Sequence, residues 1–211
     1  MERALKVGAK FLLSVLLAVL VYLTALQCSR RRDVPLEELL VDGSELSSVC
    51  ELGEQEPDQR WDGRTHLDPV PGSAAFPYAI EAQSRSWSRG PGIVVYRHRT
   101  PIVAAVQFWL ARPELYYFDH LPNFNELPFL PGSGDAKRYP ANWRYQAAAD
   151  QELVVCAMGD PSDCAYWFYQ VRYGQYIVAM SFFERDVSAE RWQRVTDVVN
   201  LHLIRKLDQT K

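Results

Sequence analysis

Cysteine is scarce, with four residues in a chain of 211. So few exclude a disulfide-held scaffold, and a hydrophobic core has to hold the fold. Neither a Cys-x-x-Cys nor a His-Glu-x-x-His spacing occurs, so no metal and no cofactor is expected. A Gly-x-Ser-x-Gly elbow is also missing, and with it the usual means of exposing a serine nucleophile. The chain has one long uncharged apolar run and no internal repeat, which rules out a polytopic membrane protein and a solenoid. A basic excess is lacking too. The formal net charge is −3, and phosphate contacts dominate nucleic-acid affinity, so no nucleic-acid partner is expected.

What charge there is lies unevenly: net +5 over residues 1–32, −9 over 33–70 and +1 over 71–211. The basic start (Arg3, Lys6, Lys10) precedes the apolar run 11–26, which extends to Cys28 with Gln27 as its one polar break. Eighteen helical residues rise about 27 Å, close to a hydrocarbon core of about 30 Å. The run therefore reads as a transmembrane anchor. A cleaved secretory signal is the rival, but Thr24-Ala25-Leu26-Gln27-Cys28 has no small-x-small cleavage pattern and is a poor lipobox. Arg30, Arg31 and Arg32 follow the run, so the positive-inside rule is nearly balanced. The short basic N-terminal flank favours a carboxy-terminal domain outside the cytoplasm, with a cytoplasmic domain held at the inner surface as the alternative.

Residues 29–73 read as an acidic spacer carrying Pro35, Pro57, Pro69 and Pro71, with a short amphipathic helix near 34–40. A globular domain is expected over 74–211. Residues 80–87 and 93–97 flank Arg89-Gly90-Pro91-Gly92, a hairpin pattern. Thr100-Pro101 then supplies an N-cap and a first-turn proline for a helix over 101–111. Pro113, Pro122, Pro128, Pro131 and Pro140 prohibit regular structure next, although Tyr116, Tyr117, Phe118, Phe124 and Phe129 are costly to leave in water. That pattern predicts a long aromatic loop folded over the domain. Strands are expected over 144–148, 152–158, 164–173 and 175–184, with a turn at 159–163. Ser188 caps a closing helix over 189–207, whose core track is Trp192, Val195, Val199 and His202. The predicted class is α+β: an antiparallel sheet with packed helices in the order ββα-loop-ββββα, behind one transmembrane helix.

Few residues carry chemistry. Cys156 and Cys164 flank the expected turn on adjacent strands, where they could face each other and form a disulfide in an oxidising compartment. Two reduced, buried thiols are the alternative. His66, His98, His120 and His202 are scattered; His120, after Asp119, could serve a hydrolase, but no nucleophile accompanies it. Gly132-Ser133-Gly134-Asp135-Ala136-Lys137 lacks the spacing of a phosphate loop. Arg85, Arg89, Arg97 and Arg99 gather on the hairpin near Trp87, Tyr96 and His98. A solvated hairpin face explains them most simply. The candidate binding surface is Arg85, Trp87, Arg97 and Arg99 together with Tyr116, Tyr117 and Phe118 of the loop.

The segments CAYWFYQVRYGQYIVAMSF and SAERWQRVTDVVNLHLIRKL, preceded by SRSWSRGPGIVVYRHRTPIVAAVQFWLA, give an order and texture of elements over 75–207 that resembles small membrane-anchored bacterial domains of PsbP-like α/β/α sandwich architecture. The resemblance implies a non-catalytic accessory, lipoprotein or sensor-like role. The expected function is thus a non-enzymatic, single-pass, membrane-anchored binding or accessory domain on the extracytoplasmic side, with the membrane and other membrane proteins as partners. The alternatives are a structural subunit of a membrane complex and, third, a hydrolase. A span of mostly Leu and Val without a Gly-x-x-x-Gly face suits simple tethering better than helix assembly.

Overall fold

The computed structural model describes residues 2–62, 78–110, 143–160, 163–183 and 188–208, with side chains described throughout these except at 2–10, 155–160, 163–166 and 182–183. Helix α1 (Glu2–Cys28) contains the apolar stretch, and its last eighteen residues, Phe11–Cys28, are long and apolar enough to cross a membrane. Among the described residues, six strands follow: β1 (Gln59–Trp61), β2 (Ala79–Arg85), β3 (Pro91–His98), β4 (Gln151–Asp160), β5 (Asp163–Tyr173) and β6 (Tyr176–Phe183). They form one antiparallel sheet in the order β1-β2-β3-β6-β5-β4. The α+β class read from the sequence is what is found.

Alternation along the central strands sends side chains to two covered faces. One face, with Ile93, Val95, Trp167, Tyr169, Val171 and Val178, lies under α2 (Leu36–Leu39), α3 (Gly43–Leu46) and α5 (Ala189–Leu207). The other, with Tyr96, Phe168, Ile177 and Ala179, lies under α4 (Pro101–Leu110) through Ala104 and Phe108. Both caps expected from sequence form. The Thr100 hydroxyl accepts the Val103 N–H at 3.2 Å, and the Ser188 hydroxyl accepts the Arg191 N–H at 3.2 Å. Trp192, Val195, Val199, Leu203 and Leu207 of α5 are buried, whereas Leu201 points to solvent.

Inside the first layer Asn200 resolves a polarity problem. Its amide donates to the Tyr169 hydroxyl at 2.7 Å and accepts from the Tyr173 hydroxyl at 2.8 Å. Buried hydroxyls left unpaired would each cost about 1–3 kcal/mol.

Several expectations are corrected. Residues 34–61 are not a spacer: Val34, Leu36, Leu39, Leu40, Val41, Leu46 and Cys50 are buried in the main core. Their acids face the domain's bases, through Asp42 and Asp58 to Arg85, Glu45 to Arg205, and Glu38 to Lys206. The domain therefore starts at the end of α1, and β1 is an edge strand supplied by the acidic segment. Residues 144–148 form no strand; the Arg144 N–H and carbonyl instead bond the Gln193 amide of α5. β4 and β5 run on to Asp160 and from Asp163, which shortens the expected turn. That register pairs Cys156 with Trp167 and Cys164 with Gly159. The two cysteines are thus about 10 Å out of register, too far for a disulfide, which needs Cα atoms within about 7 Å. Among the described residues neither Cys28, which is exposed, nor Cys50, which is buried, is in a disulfide.

Candidate functional site

Helix α1 does not leave the domain on a flexible link. α1 ends at Cys28, and the chain passes directly onto the β5–β6 turn at Gly174-Gln175. The Arg31 N–H donates to Gln175 Oε1 at 2.9 Å, while Gln175 Nε2 donates to the Arg31 carbonyl at 2.8 Å and to Asp33 Oδ1 at 3.1 Å. One residue on, the Tyr176 hydroxyl accepts the Val34 N–H at 2.8 Å beside the carbonyls of Arg32 and Val34. The Arg31 guanidinium reaches Asp208 at 2.6 Å, past the end of α5, and the Ala148 carbonyl at 3.2 Å.

Magnitudes identify what holds this junction. The Arg31–Asp208 pair is partly exposed and so contributes about 0–1 kcal/mol. The sheltered bonds of Gln175 and Tyr176 contribute about 0.5–1.5 kcal/mol each, and several act together. The turn itself is fixed from below. Arg172 is 2% exposed, and its guanidinium meets Asp150 at 3.2 Å, Gln151 Oε1 at 2.6 Å and the Gly174 carbonyl at 2.9 Å. Burial pulls the Arg172 pKa down, and the Asp150 charge works against that. Gly174 has φ +59°, and its backbone lies against Ser29 and Arg31. Sequence reasoning missed Asp150, Arg172, Gln175, Tyr176 and Asp208; the one available signal was a Tyr-Gly-Gln-Tyr turn between apolar strands.

The arginine hairpin is for the most part a structural device. Arg85, 12% exposed at its side chain, bonds Asp58 at 2.7 Å, Asp42 at 3.1 Å and the carbonyls of Leu40 and Val41. Hydrogen bonding to Asp58 holds its pKa up against burial. Trp87 is buried in the main core beside Gly43. Arg97 pairs with Glu81 at 2.7 Å. Of the four hairpin residues in the candidate surface, Arg99 alone is exposed. Arg85 and Trp87 are therefore withdrawn from it; they clamp the acidic segment to the sheet. Tyr116, Tyr117 and Phe118 lie outside the described residues, as do His66, His120 and the Gly132–Lys137 segment.

No family model, curated protein or solved structure matches the chain. Its chemistry has to be read from its own residues, and both described histidines are engaged in the fold. His202 places Nε2 2.9 Å from the Glu38 carbonyl and Nδ1 3.0 Å from the Glu45 carboxylate, so it ties α5 to α2 and α3. His98 is buried at the end of β3. Burial drops its pKa to about 4, against a weaker opposing effect of a hydrogen bond to the Tyr78 backbone. Among the described residues no group of three or more His, Cys, Asp or Glu could hold a metal. An open groove of about 560 Å³ is lined by Ser47, Val49, Cys50, Glu51, Leu52 and Arg191, where Glu51 and Arg191 carry opposite charges.

His98 makes a pH prediction. An unfolded histidine takes up its proton near pH 6.5, while the folded one stays neutral down to about 4. Stability is therefore complete above 6.5 and falls as the pH drops toward 4. A shift of that size corresponds to roughly 3 kcal/mol. Urea unfolding of the detergent-solubilised chain across this range should show the decline, and His98→Phe should flatten it. An unchanged slope in the variant would refute the assignment.

Proposed function

We propose that the chain is a non-enzymatic, single-pass membrane-anchored accessory domain that lies outside the cytoplasm and engages another component of the same membrane. The observation that carries this reading is the locked junction between α1 and the sheet. A domain that captures soluble ligands gains nothing from a fixed attitude, and a flexible spacer would serve it. A domain that meets a neighbour in the same bilayer gains from fixed height and orientation, because rigid presentation removes the ordering cost of binding. The engagement of His98 and His202 in the fold supports the non-enzymatic part. The basic flank of Arg3, Lys6 and Lys10 supports the orientation.

Two readouts on the same expressing cells test this. In a chain with Cys28→Ser, a membrane-impermeant maleimide should label Leu201→Cys, an exposed site on α5, in intact cells beyond the background of the same chain without Leu201→Cys; such labelling only after lysis would reverse the orientation. Native membranes solubilised in mild detergent should release the wild-type chain in a stable assembly. A version with a flexible Gly-Ser insert after Ser29 should keep its anchor yet leave that assembly. Wild-type chain running alone would sink the accessory reading, and an insert without effect would make the junction irrelevant to it.

A further inference from the structure

We propose that the outward face of α4 seats in the lipid headgroup region, so that the domain touches the bilayer at a second site beside its anchor. This rests on the reading of α1 as a membrane span. α4 (PIVAAVQFWL) contains no charged residue. Its inner side, with Ala104, Gln107 and Phe108, is buried against the sheet, but Val106 is 49% exposed, Trp109 58% and Leu110 59%. Such a patch on a helix of a water-facing domain calls for an occupant.

The position of α4 names the occupant. α4 packs beside α1, the one helix among the described residues that is long and apolar enough to cross a membrane. The locked junction at Gln175 and Tyr176 fixes that arrangement. Whatever surrounds α1 where it meets α4 also meets α4, and in a bilayer holding this chain alone that is lipid. Ten residues rise only about 15 Å, half a hydrocarbon core, so α4 can lie at the interface but cannot cross it. Its ends suit that depth. Trp109 belongs to the residue type that collects at headgroup level, and the exposed Arg99, just before the Thr100 cap, can meet lipid phosphates. The exposed residues are large, without the small-residue stripe that another membrane helix would use to approach closely. The surface is that of an interfacial helix.

The test reconstitutes the full chain in phosphatidylcholine vesicles with an environment-sensitive fluorescent amino acid placed singly at Val106, Leu16 or Leu201. Lipids carrying a spin-label quencher near the glycerol level are added to one set of vesicles, lipids quenched deep in the acyl chains to a second, and aqueous iodide to a third. Val106 should lose most of its emission to the shallow lipid quencher and resist iodide. Leu16 should be quenched from within the bilayer, and Leu201 by iodide alone. Iodide quenching at Val106 like that at Leu201, with Leu16 still lipid-quenched, would overturn the inference and leave the anchor standing. Protection of Val106 from lipid quenchers and iodide together would mean that protein and not lipid covers α4, which also overturns it. Leu16 open to iodide would remove the anchor reading itself and the inference with it.

Discussion

Replacing Asp150 by alanine is expected to cost the domain about 3 kcal/mol, the lower end of the range for breaking a buried ion pair. The lower end applies because Asp150 keeps 19% side-chain exposure while its partner Arg172 has 2%. The loss falls on Arg172, which would hold a charge inside the protein with only Gln151 Oε1 and the Gly174 carbonyl to satisfy it. Asp150 also accepts the Gly174 N–H, so the turn that receives the chain leaving α1 loosens as well. Asp150→Asn keeps an acceptor for that N–H but no charge, and should fall between wild type and the alanine variant. Adding Arg172→Met to Asp150→Ala should recover much of the loss, because an apolar residue of similar length removes the stranded charge. Urea unfolding of the solubilised full chain, with unchanged m, measures all three. An alanine variant within about 0.5 kcal/mol of wild type, the usual range for surface changes, would show that Arg172 finds water or another acceptor.

The sequence announced elements whose signals are local. Thr100-Pro101 and Ser188 mark helix starts by cap chemistry. The apolar track through Trp192, Val195 and Val199 marks a core-facing helix. Gly90 and Gly174, at φ +118° and +59°, mark tight turns between apolar strands. Residues 34–61 were misread because their polarity was averaged. Seven of those residues are buried in the core, while the acids between them pair with arginines and a lysine distant in sequence. No composition window shows whether an acid faces water or Arg85. The cysteines failed for a related reason. Adjacent strands were inferred correctly, but bulges between Cys156 and Gly159 set the register, and register decides which residues face each other. The candidate site was less legible still. Arginines beside aromatics look alike on paper whether they bind a ligand or clamp a segment, and only the burial of Arg85 and Trp87 tells the two apart.

The junction behind the functional proposal can be broken at a single atom. Gly174→Val should detach the chain leaving α1 from the sheet and destabilise the domain at the same time. At φ +59° a β-branched residue pays for the left-handed conformation, about 1–2 kcal/mol for an ordinary side chain. Space is the second obstacle. A Cβ there would stand 2.6 Å from the Ser29 carbonyl oxygen, 2.8 Å from the Arg31 N and 2.9 Å from Arg31 Cγ. Two of these contacts are backbone, so relief requires moving the chain that leaves α1, at a typical overpacking cost of about 1–3 kcal/mol. Once that chain moves, the Gln175 and Tyr176 bonds to residues 31–34 cannot all be kept. Gly174→Asn separates the two effects, since asparagine tolerates a positive φ but still carries a Cβ. Both variants should expose the bond after Arg31 to trypsin in the folded, solubilised chain, where the wild type resists, and valine should lower the unfolding midpoint further than asparagine. Valine that unfolds early while Arg31 stays protected up to that point would mean that turn strain, and not the contact with Ser29 and Arg31, is the reason for this glycine. Wild-type behaviour in both would show that the exit chain shifts without cost, and the domain would then be mobile relative to α1.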